Sequence, residues 1–359
     1  MITADFYNLR IAGIASALPA KCVQAHEYDD LFTERIVTKN MEITGIKQTW
    51  HAAEEQTASD LAFVAAKRLF KEQNIDPASI GVLIFVSVYP DYRQPSTACV
   101  LQNRLNLSTS CIAFDIDLGC SGYVYGLEAL CAILQTSSAK YGLLLTGETA
   151  TKIISPLDKS RLLLGDGGSA TLVEKCETPD EFHFGMKTDG SRFKTIIIPA
   201  GAYRNRNATF ERTEWADGNT RSDYDLFMNG TDVFGFTMTD VPKMVLEFMD
   251  CHETSINDFD GFIFHQPNLF ILKHLIHKLK IPNGKMPISL DRYGNTGVSA
   301  IPVTICDAYP GEPGTKRLFI YGFGVGLSWA CASVTIDTRY VYAIEHTDDC
   351  FKDGAVSHF

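Results

Sequence analysis

The sequence predicts an α/β protein made of two packed halves, each with a buried central sheet flanked by helices. Three observations lead there. The run from Ile80 to Tyr89 (Ile-Gly-Val-Leu-Ile-Phe-Val-Ser-Val-Tyr) is almost continuously apolar, as a strand covered on both faces should be. Strand-length apolar runs alternate with helix-length amphipathic segments along the chain. The pattern also occurs twice. Asn74-Ile75-Asp76-Pro77-Ala78-Ser79-Ile80 before Leu83-Ile84-Phe85 resembles Ser255-Ile256-Asn257-Asp258-Phe259 before Phe262-Ile263-Phe264. Gly165-Asp166-Gly167-Gly168-Ser169-Ala170 resembles Gly322-Phe323-Gly324-Val325-Gly326-Leu327, each closing a half. A length of 359 residues agrees, being too long for one simple core.

Taken in order, Arg10 to Ser16 reads as a strand, Glu27 to about Val37 as a helix, and Thr44-Gly45-Ile46 as a turn. Thr57-Ala58-Ser59-Asp60 caps an amphipathic helix that runs through Leu69. Pro95 opens a helix to Leu105, Cys111 to Leu118 is a strand, and Tyr141 to Gly147 is another. Leu162 to Ala170 turns into a strand ending near Val173. Residues 176–228 combine a short strand at Thr195–Pro199 with polar, glycine-containing loops that carry Arg192, Lys194, Arg204, Arg206 and Arg212. They read as an insertion on one face, much of it ordinary solvated loop. Gly230 to Met249 is a long helix and Leu269 to Leu279 a shorter one. The expected organisation is therefore an N-terminal half over 1–175, a C-terminal half over 176–337 that includes the insertion 176–228, and an appended tail over 338–359 with no assigned structure.

Composition narrows the function. Hydrophobic content of 45% and charged content of 21% are ordinary globular values. A net charge of −11 argues against a nucleic-acid partner. No apolar run approaches the ~18 residues of a membrane span, and Met1-Ile2-Thr3-Ala4-Asp5-Phe6 lacks the basic head and apolar core of a signal peptide. The ten cysteines contain no Cys-x-x-Cys pair, so neither a zinc site nor a disulfide framework is expected. A reducing, cytoplasmic compartment follows, and no metal or cofactor is called for.

The chain is organised around Asp115-Ile116-Asp117-Leu118-Gly119-Cys120-Ser121-Gly122-Tyr123. An apolar strand enters a Gly-Cys-Ser-Gly turn, and a helix with Tyr123, Val124, Leu127, Leu130, Cys131 and Leu134 on its apolar face follows at once. A cysteine at a helix N-terminus faces unpaired N–H groups and the positive end of the dipole, which favour thiolate and predict a lowered pKa. A buried structural cysteine is the plain alternative. Two further strand-to-helix turns carry polar residues: His265, leaving Phe262-Ile263-Phe264, and Asn295, within Asp291-Arg292-Tyr293-Gly294-Asn295-Thr296-Gly297. Each alone is explicable as a strand-end histidine or a turn asparagine. Three residues at equivalent positions predict one shared cleft.

At these motifs the chain resembles the 3-oxoacyl-(acyl-carrier-protein) synthase III family of thiolase-like condensing enzymes. The resemblance rests on Asp-Leu-Gly-Cys-Ser-Gly-Tyr-Val-Tyr-Gly (117–126), Gly-Asp-Gly-Gly-Ser-Ala (165–170), His-Gln-Pro-Asn (265–268), Tyr-Gly-Asn-Thr-Gly (293–297) and Gly-Phe-Gly-Val-Gly-Leu-Ser-Trp (322–329), in order over residues 8–337. It implies a duplicated five-layer α/β/α/β/α fold and a homodimer. It implies Cys120 as the acyl-accepting nucleophile, His265 and Asn295 as its catalytic partners, and the backbone N–H groups of Cys120 and Val325 as the oxyanion donors. The reaction implied is acyl transfer to Cys120, then decarboxylative Claisen condensation with a malonyl thioester. Acyl-carrier protein, acyl-coenzyme A or both would be substrates, and substrate contacts fall on Gln94, Arg161, Asn268 and Phe323. The same fold also serves acyltransferases that move a cysteine-bound acyl group to an alcohol or amine, and non-catalytic partner subunits. Intact Cys120, His265 and Asn295 argue against the last.

Departures from the family pattern carry their own expectations. Gln94 stands where the family has an aromatic residue reaching toward the partner subunit's acyl pocket. It should be paired with protein groups or with a polar acyl chain. Arg35 falls near the usual coenzyme-A-stacking tryptophan, Lys39 where an arginine would stand, and Phe270 and Gly235 where basic carrier-docking residues occur. Lys273, Lys278, Lys280 and Lys285 form a compensating basic stretch, which predicts preference for an acidic carrier protein over coenzyme A.

Overall fold

In a computed structural model, residues 1–178 and 180–352 are described. Among them, eleven strands form one hydrogen-bonded system: β1 (Ile2–Tyr7), β2 (Leu9–Pro19), β3 (Ile80–Val86), β4 (Ile112–Ile116), β5 (Tyr141–Glu148), β6 (Gly167–Lys175), β7 (Glu181–Thr188), β8 (Gly261–Phe264), β9 (Thr315–Gly324), β10 (Ser328–Asp337) and β11 (Glu345–Thr347). The helices that position the site are α1 (Glu34–Thr44), α2 (Ala58–Gln73), α3 (Thr97–Arg104), α4 (Gly122–Thr136), α5 (Gly230–Cys251), α6 (Leu269–Leu279) and α7 (Ala300–Ala308).

The strands fall into two sets with one pattern. β3 is parallel to β5, β5 antiparallel to β6, and β6 antiparallel to β2. β8, β9, β10 and β7 repeat the sequence parallel, antiparallel, antiparallel. β4 extends the first set beside β3, and β1 extends the second beside β7. The sets meet where Ile336 of β10 lies opposite Ile11 of β2. Short 3₁₀ turns at Pro77–Ser79 and Ile256–Asp258 precede β3 and β8, which is the structural form of the internal sequence similarity.

Apolar faces account for the layering. α2 and α3 cover the outer face of the first sheet through Ala62, Leu69, Leu101, Leu143 and Leu172. α4 and α7 lie between the sheets, where Leu127, Leu130, Ile301 and Ile305 meet Ile84 and Ile320. α5 packs on α6 over the outer face of the second sheet, with Phe248, Leu272, Leu275 and Phe319 in contact. Five layers result, as the duplicated fold requires. The cap on α2 forms as expected: the Asp60 carboxylate accepts the Thr57 N–H at 2.8 Å.

Other expectations give way to tertiary contacts. β1 was not foreseen, and the helix expected from Glu27 is broken. Thr33 takes a positive φ of 66°, so a short turn over Asp29–Phe32 precedes α1. The segment expected as solvated loop in the insertion 176–228 is anchored from within. Arg221 is 1% exposed and ion-paired with Asp158 and Asp217, with Trp215 and Phe227 against its guanidinium. Arg212 forms a second pair, two-pronged, with Asp225 at 2.9 Å. The tail 338–359 acquires structure over its described part: β11 pairs with Ala17, Leu18 and Pro19 of β2, and Phe351 packs edge-on against Phe63.

Candidate active site

β4 ends at Ile116, and the turn through Gly119 closes with a Gly122 N–H to Gly119 carbonyl bond of 2.7 Å before α4 begins. The turn is pinned to the one joining β9 and β10. Ser328 Oγ donates to the Val325 carbonyl at 2.8 Å, and Ser121 Oγ lies 2.7 Å from Ser328 Oγ, which leaves Ser121 as the donor of that pair. Gly324 lets the turns meet: a Cβ there would stand 2.8 Å from both Cβ and Sγ of Cys120. The main-chain N–H groups of Cys120 and Val325 both act on the sulfur and favour its charged form.

Those two donors do not win. Burial pushes the half-buried Cys120 thiol up to about 12, and the nearby Glu148 carboxylate adds to the effect. The lowered pKa expected from the helix terminus is therefore corrected. Desolvation by burial exceeds the stabilisation that the terminus supplies. Cys120 rests as a neutral thiol.

His265 follows β8, and its N–H donates to the Tyr321 carbonyl at 2.8 Å, extending the ladder to β9. The ring is 2% exposed and stands edge-on to Phe323, centroids 5.6 Å apart. Burial lowers its pKa to about 4, opposed only by the main chain of Gly297, so the imidazole is neutral. Its buried Nδ1 has no hydrogen-bond partner among the described residues. Asn295 is held by its own backbone, with its N–H on the Leu163 carbonyl at 2.8 Å and its carbonyl accepting from Gly165 at 3.0 Å. Its side-chain Oδ1 accepts the Gly297 N–H at 3.0 Å, which turns the Nδ2 amide outward as a donor. A continuous path of contacts thus runs from Cys120 through Gly324 and Phe323 to His265, Gly297 and Asn295.

One member of this assembly was not anticipated. Glu148, the last residue of β5, is buried, and its Oε2 accepts the Val298 N–H at 3.1 Å. Tyr89 bonds to the same carboxyl. Burial raises the Glu148 pKa to about 7. Gly297 has a φ of 54°, and a Cβ on it would overlap this carboxylate. A charged residue closing an otherwise apolar strand was the one signal available. The motif around Asp166 is also structural here: its carboxylate accepts the Ala52 and Thr151 N–H groups at 2.8 and 3.0 Å.

The expected substrate residues are dispersed. Gln94 is exposed and has no hydrogen-bond partner among the described residues, which leaves a polar acyl chain as the partner expected for its amide. Its side chain lies on a solvent-facing loop rather than in an apolar pocket. Arg161 donates to the Thr151 and Ile154 carbonyls at 3.2 and 3.5 Å. Asn268 caps α6, with Oδ1 accepting from Ile271 at 2.9 Å. Phe323 is 2% exposed and packs beneath His265. Arg35 and Lys39 are exposed on α1. Lys273, Lys278 and Lys280 are exposed on and just after α6, without an ion pair among the described residues, whereas Lys285 is tied to the Phe259 carbonyl at 2.6 Å. Phe270 is 52% exposed, its ring 5.9 Å from that of Phe234. Among the described residues no helix is long and apolar enough to cross a membrane.

Residues 114–190 match the family model described as 3-oxoacyl-[acyl-carrier-protein (ACP)] synthase III, and residues 249–336 match that of its C-terminal region. A putative 3-oxoacyl-[acyl-carrier-protein] synthase 3 of Campylobacter jejuni is 31% identical over 93% of this chain and 96% of its own. A beta-ketoacyl-[acyl-carrier-protein] synthase III of Caldanaerobacter subterraneus is 32% identical over 90% and 96%. The crystal structure of a 3-oxoacyl-(acyl-carrier protein) synthase from Burkholderia xenovorans superposes with a TM-score of 0.89 at 34% identity, covering 96% of this chain and 99% of that one.

Proposed function

The chain belongs to the 3-oxoacyl-[acyl-carrier-protein] synthase III family, and from that premise we propose how its own residues carry out the chemistry. It is a thiolase-fold condensing enzyme, an acyltransferase that forms 3-oxoacyl thioesters in fatty-acid or related polyketide biosynthesis. Cys120 is the nucleophile. The observation that carries this assignment is the meeting of its turn with the Val325 turn: Ser121 Oγ lies 2.7 Å from Ser328 Oγ, and a Cβ on Gly324 would stand 2.8 Å from the Cys120 sulfur.

In the first step the Cys120 sulfur attacks the carbonyl of an acyl thioester. The Cys120 and Val325 N–H groups receive the oxyanion, the carrier thiol leaves with the cysteine proton, and acyl-Cys120 remains. Splitting the condensation this way replaces one difficult step by two easier ones. Because the resting thiol is neutral, the proton leaves during the attack rather than before it. In the second step a malonyl thioester loses CO₂. Charge develops on the thioester oxygen, where the neutral imidazole of His265 and the Nδ2 amide of Asn295 donate hydrogen bonds. The resulting enolate carbon attacks acyl-Cys120, expelling the thiolate, which takes up a proton to regenerate the thiol. A neutral His265 suits this role: it donates without neutralising the enolate by proton transfer. One donor of this kind contributes about 3–4 kcal/mol.

The second thioester is carried by an acidic acyl-carrier protein. Lys273, Lys278 and Lys280, exposed and without an ion pair among the described residues, lie on and just after α6, the helix that carries the exposed Phe270, and form a cationic face fitted to it. The enzyme works as a cytoplasmic homodimer. Among the described residues β4 pairs on one side only, with β3, and Ile112 on it is exposed, which supports a strand edge shared with a second copy. Gln94, exposed here, then faces the partner's site. The direct test is intact-protein mass after exposure to matched acyl thioesters. One acyl adduct is expected, mapping to Cys120 and absent from Cys120→Ala. An adduct on another cysteine overturns the assignment.

A further inference from the structure

Far from Cys120, at the edge of the second sheet, Asp5 of β1 lies directly opposite His183 of β7, and His252 caps the C-terminal end of α5 beside them. One ligand atom from each of the three falls within 4.8 Å of the others. His183 Nδ1 is 2.7 Å from Asp5 Oδ1, and His252 Nε2 is 3.3 Å from the same oxygen. Neither ring nitrogen left over is idle. His252 Nδ1 lies 3.0 Å from the Phe248 carbonyl, and His183 Nε2 lies 3.5 Å from Glu181 Oε2.

A carbonyl only accepts, so His252 carries its proton on Nδ1. Its Nε2 points at the Asp5 carboxylate, as His183 Nδ1 does, so two rings present a nitrogen to one oxygen. His183 sits between two carboxylates, Asp5 and the more distant Glu181.

We infer that Asp5, His183 and His252 form a binding site for a divalent transition-metal ion of the zinc class. With the ion on Asp5 Oδ1, His183 Nδ1 and His252 Nε2, each remaining ring N–H donates outward, to Glu181 and to the Phe248 carbonyl. That is the outer-shell pattern of metal-bound histidines, which orients the ring and fixes the tautomer. Two imidazoles and one carboxylate suit zinc or its neighbours rather than calcium or magnesium, and three protein ligands leave a coordination position open to solvent. The site is structural: the ion ties β1, β7 and the end of α5 together. His183 pairs with Ser333 on β10, at the opposite end from the Thr188–Ser328 pair that flanks the Val325 turn.

The test uses the full chain in a Cys120→Ala background, so that the proposed nucleophile cannot compete for metal. Zn²⁺ alone is titrated against this protein and against Asp5→Asn, His183→Gln and His252→Gln. One saturable Zn²⁺ and a raised melting temperature are expected, with affinity lower by about 10²-fold or more in each variant. Co²⁺ should give visible ligand-field absorption without the near-ultraviolet band of thiolate ligation. Absence of saturable Zn²⁺ binding, binding that survives in all three variants, or a thiolate band would overturn the site. So would a melting temperature indifferent to Zn²⁺.

Discussion

Gly324 leaves room for the sulfur of Cys120 and for little else: a Cβ at that position would lie 2.8 Å from Sγ. We predict that Gly324→Ala folds, since the clash falls on one side chain at a turn. Acyl loading of Cys120 should nonetheless drop by at least about 10²-fold, because the sulfur must move away from the Val325 N–H. Thermal melting and intact mass separate the two outcomes. Normal loading would show that the close approach has no bearing on the chemistry.

The neutral resting thiol has a kinetic signature. With its pKa at about 12, Cys120 is thiolate in roughly one part in 10⁵ at pH 7. Iodoacetamide should label the exposed Cys99 and Cys251 first, and the rate at Cys120 should rise about tenfold per pH unit from 7 to 10. Peptide mapping across pH gives each rate. A plateau for Cys120 below pH 8 would mean that the helix terminus prevails over burial after all.

His265→Ala and Asn295→Ala should part the two half-reactions. In the proposed mechanism loading uses backbone donors and should persist, whereas malonyl decarboxylation should fall by about 10²–10³-fold. Labelled CO₂ release and burst acylation are measured separately. Unchanged CO₂ release in either variant removes that residue from the enolate site.

Glu148 makes stability depend on pH in a defined direction. Its folded pKa, about 7, lies above the ordinary 4.5. Between those values the folded chain holds a proton that the unfolded chain has lost, so its contribution falls as pH rises. His51 and His265, both lowered to about 4, act oppositely between about 4 and 6.5 and mask the effect in the parent protein. Glu148→Gln exposes it. The stability difference, parent minus variant, should shrink by up to about 3 kcal/mol from pH 4.5 to 7 in urea unfolding. A flat difference would place the Glu148 pKa near its usual value.

Donor choice should be electrostatic. Loading and condensation from carrier-bound substrates should exceed those from coenzyme A thioesters at low salt, and the advantage should decline toward 0.5 M salt, where screening lengths fall to about 4 Å. Lys273→Glu with Lys278→Glu should remove it while leaving coenzyme A rates unchanged. Equal rates from both donors, indifferent to salt, would leave the cationic face without a function.

What could be read from the sequence was local. The Gly-Cys-Ser-Gly turn, the strand end at His265 and the Asn295 turn each announce themselves within ten residues, because a strand-to-helix turn needs glycine and a polar tip. The fold was legible for the same reason: two copies of one alternation, each with its 3₁₀ turn before a buried strand. Glu148 was hidden because its partner Val298 is 150 positions away. Arg221 looked like any loop arginine until Asp158, 63 positions earlier, was brought beneath it. The direction of the Cys120 pKa is not legible because the helix start is visible in sequence, whereas the burial that desolvates the thiol exists only in the folded chain. His183 and His252 carried no spacing motif, since their third companion is Asp5, on the first strand.

The tail gives the N-terminal half a debt to residues made much later. Asp60 Oδ1 accepts the Phe351 N–H, a bond closing 291 positions of chain, and Gln56 reaches the carbonyls of Thr347 and Asp349. Arg104 lies under the Phe351 ring, 5.4 Å from its centroid. On a translating ribosome, α2 and α3 therefore emerge with a bare flank that stays uncovered until the entire second half has been synthesised. The nascent first half carries exposed apolar surface throughout that interval, and it is the stage of the protein's life at which a chaperone would find the most to hold.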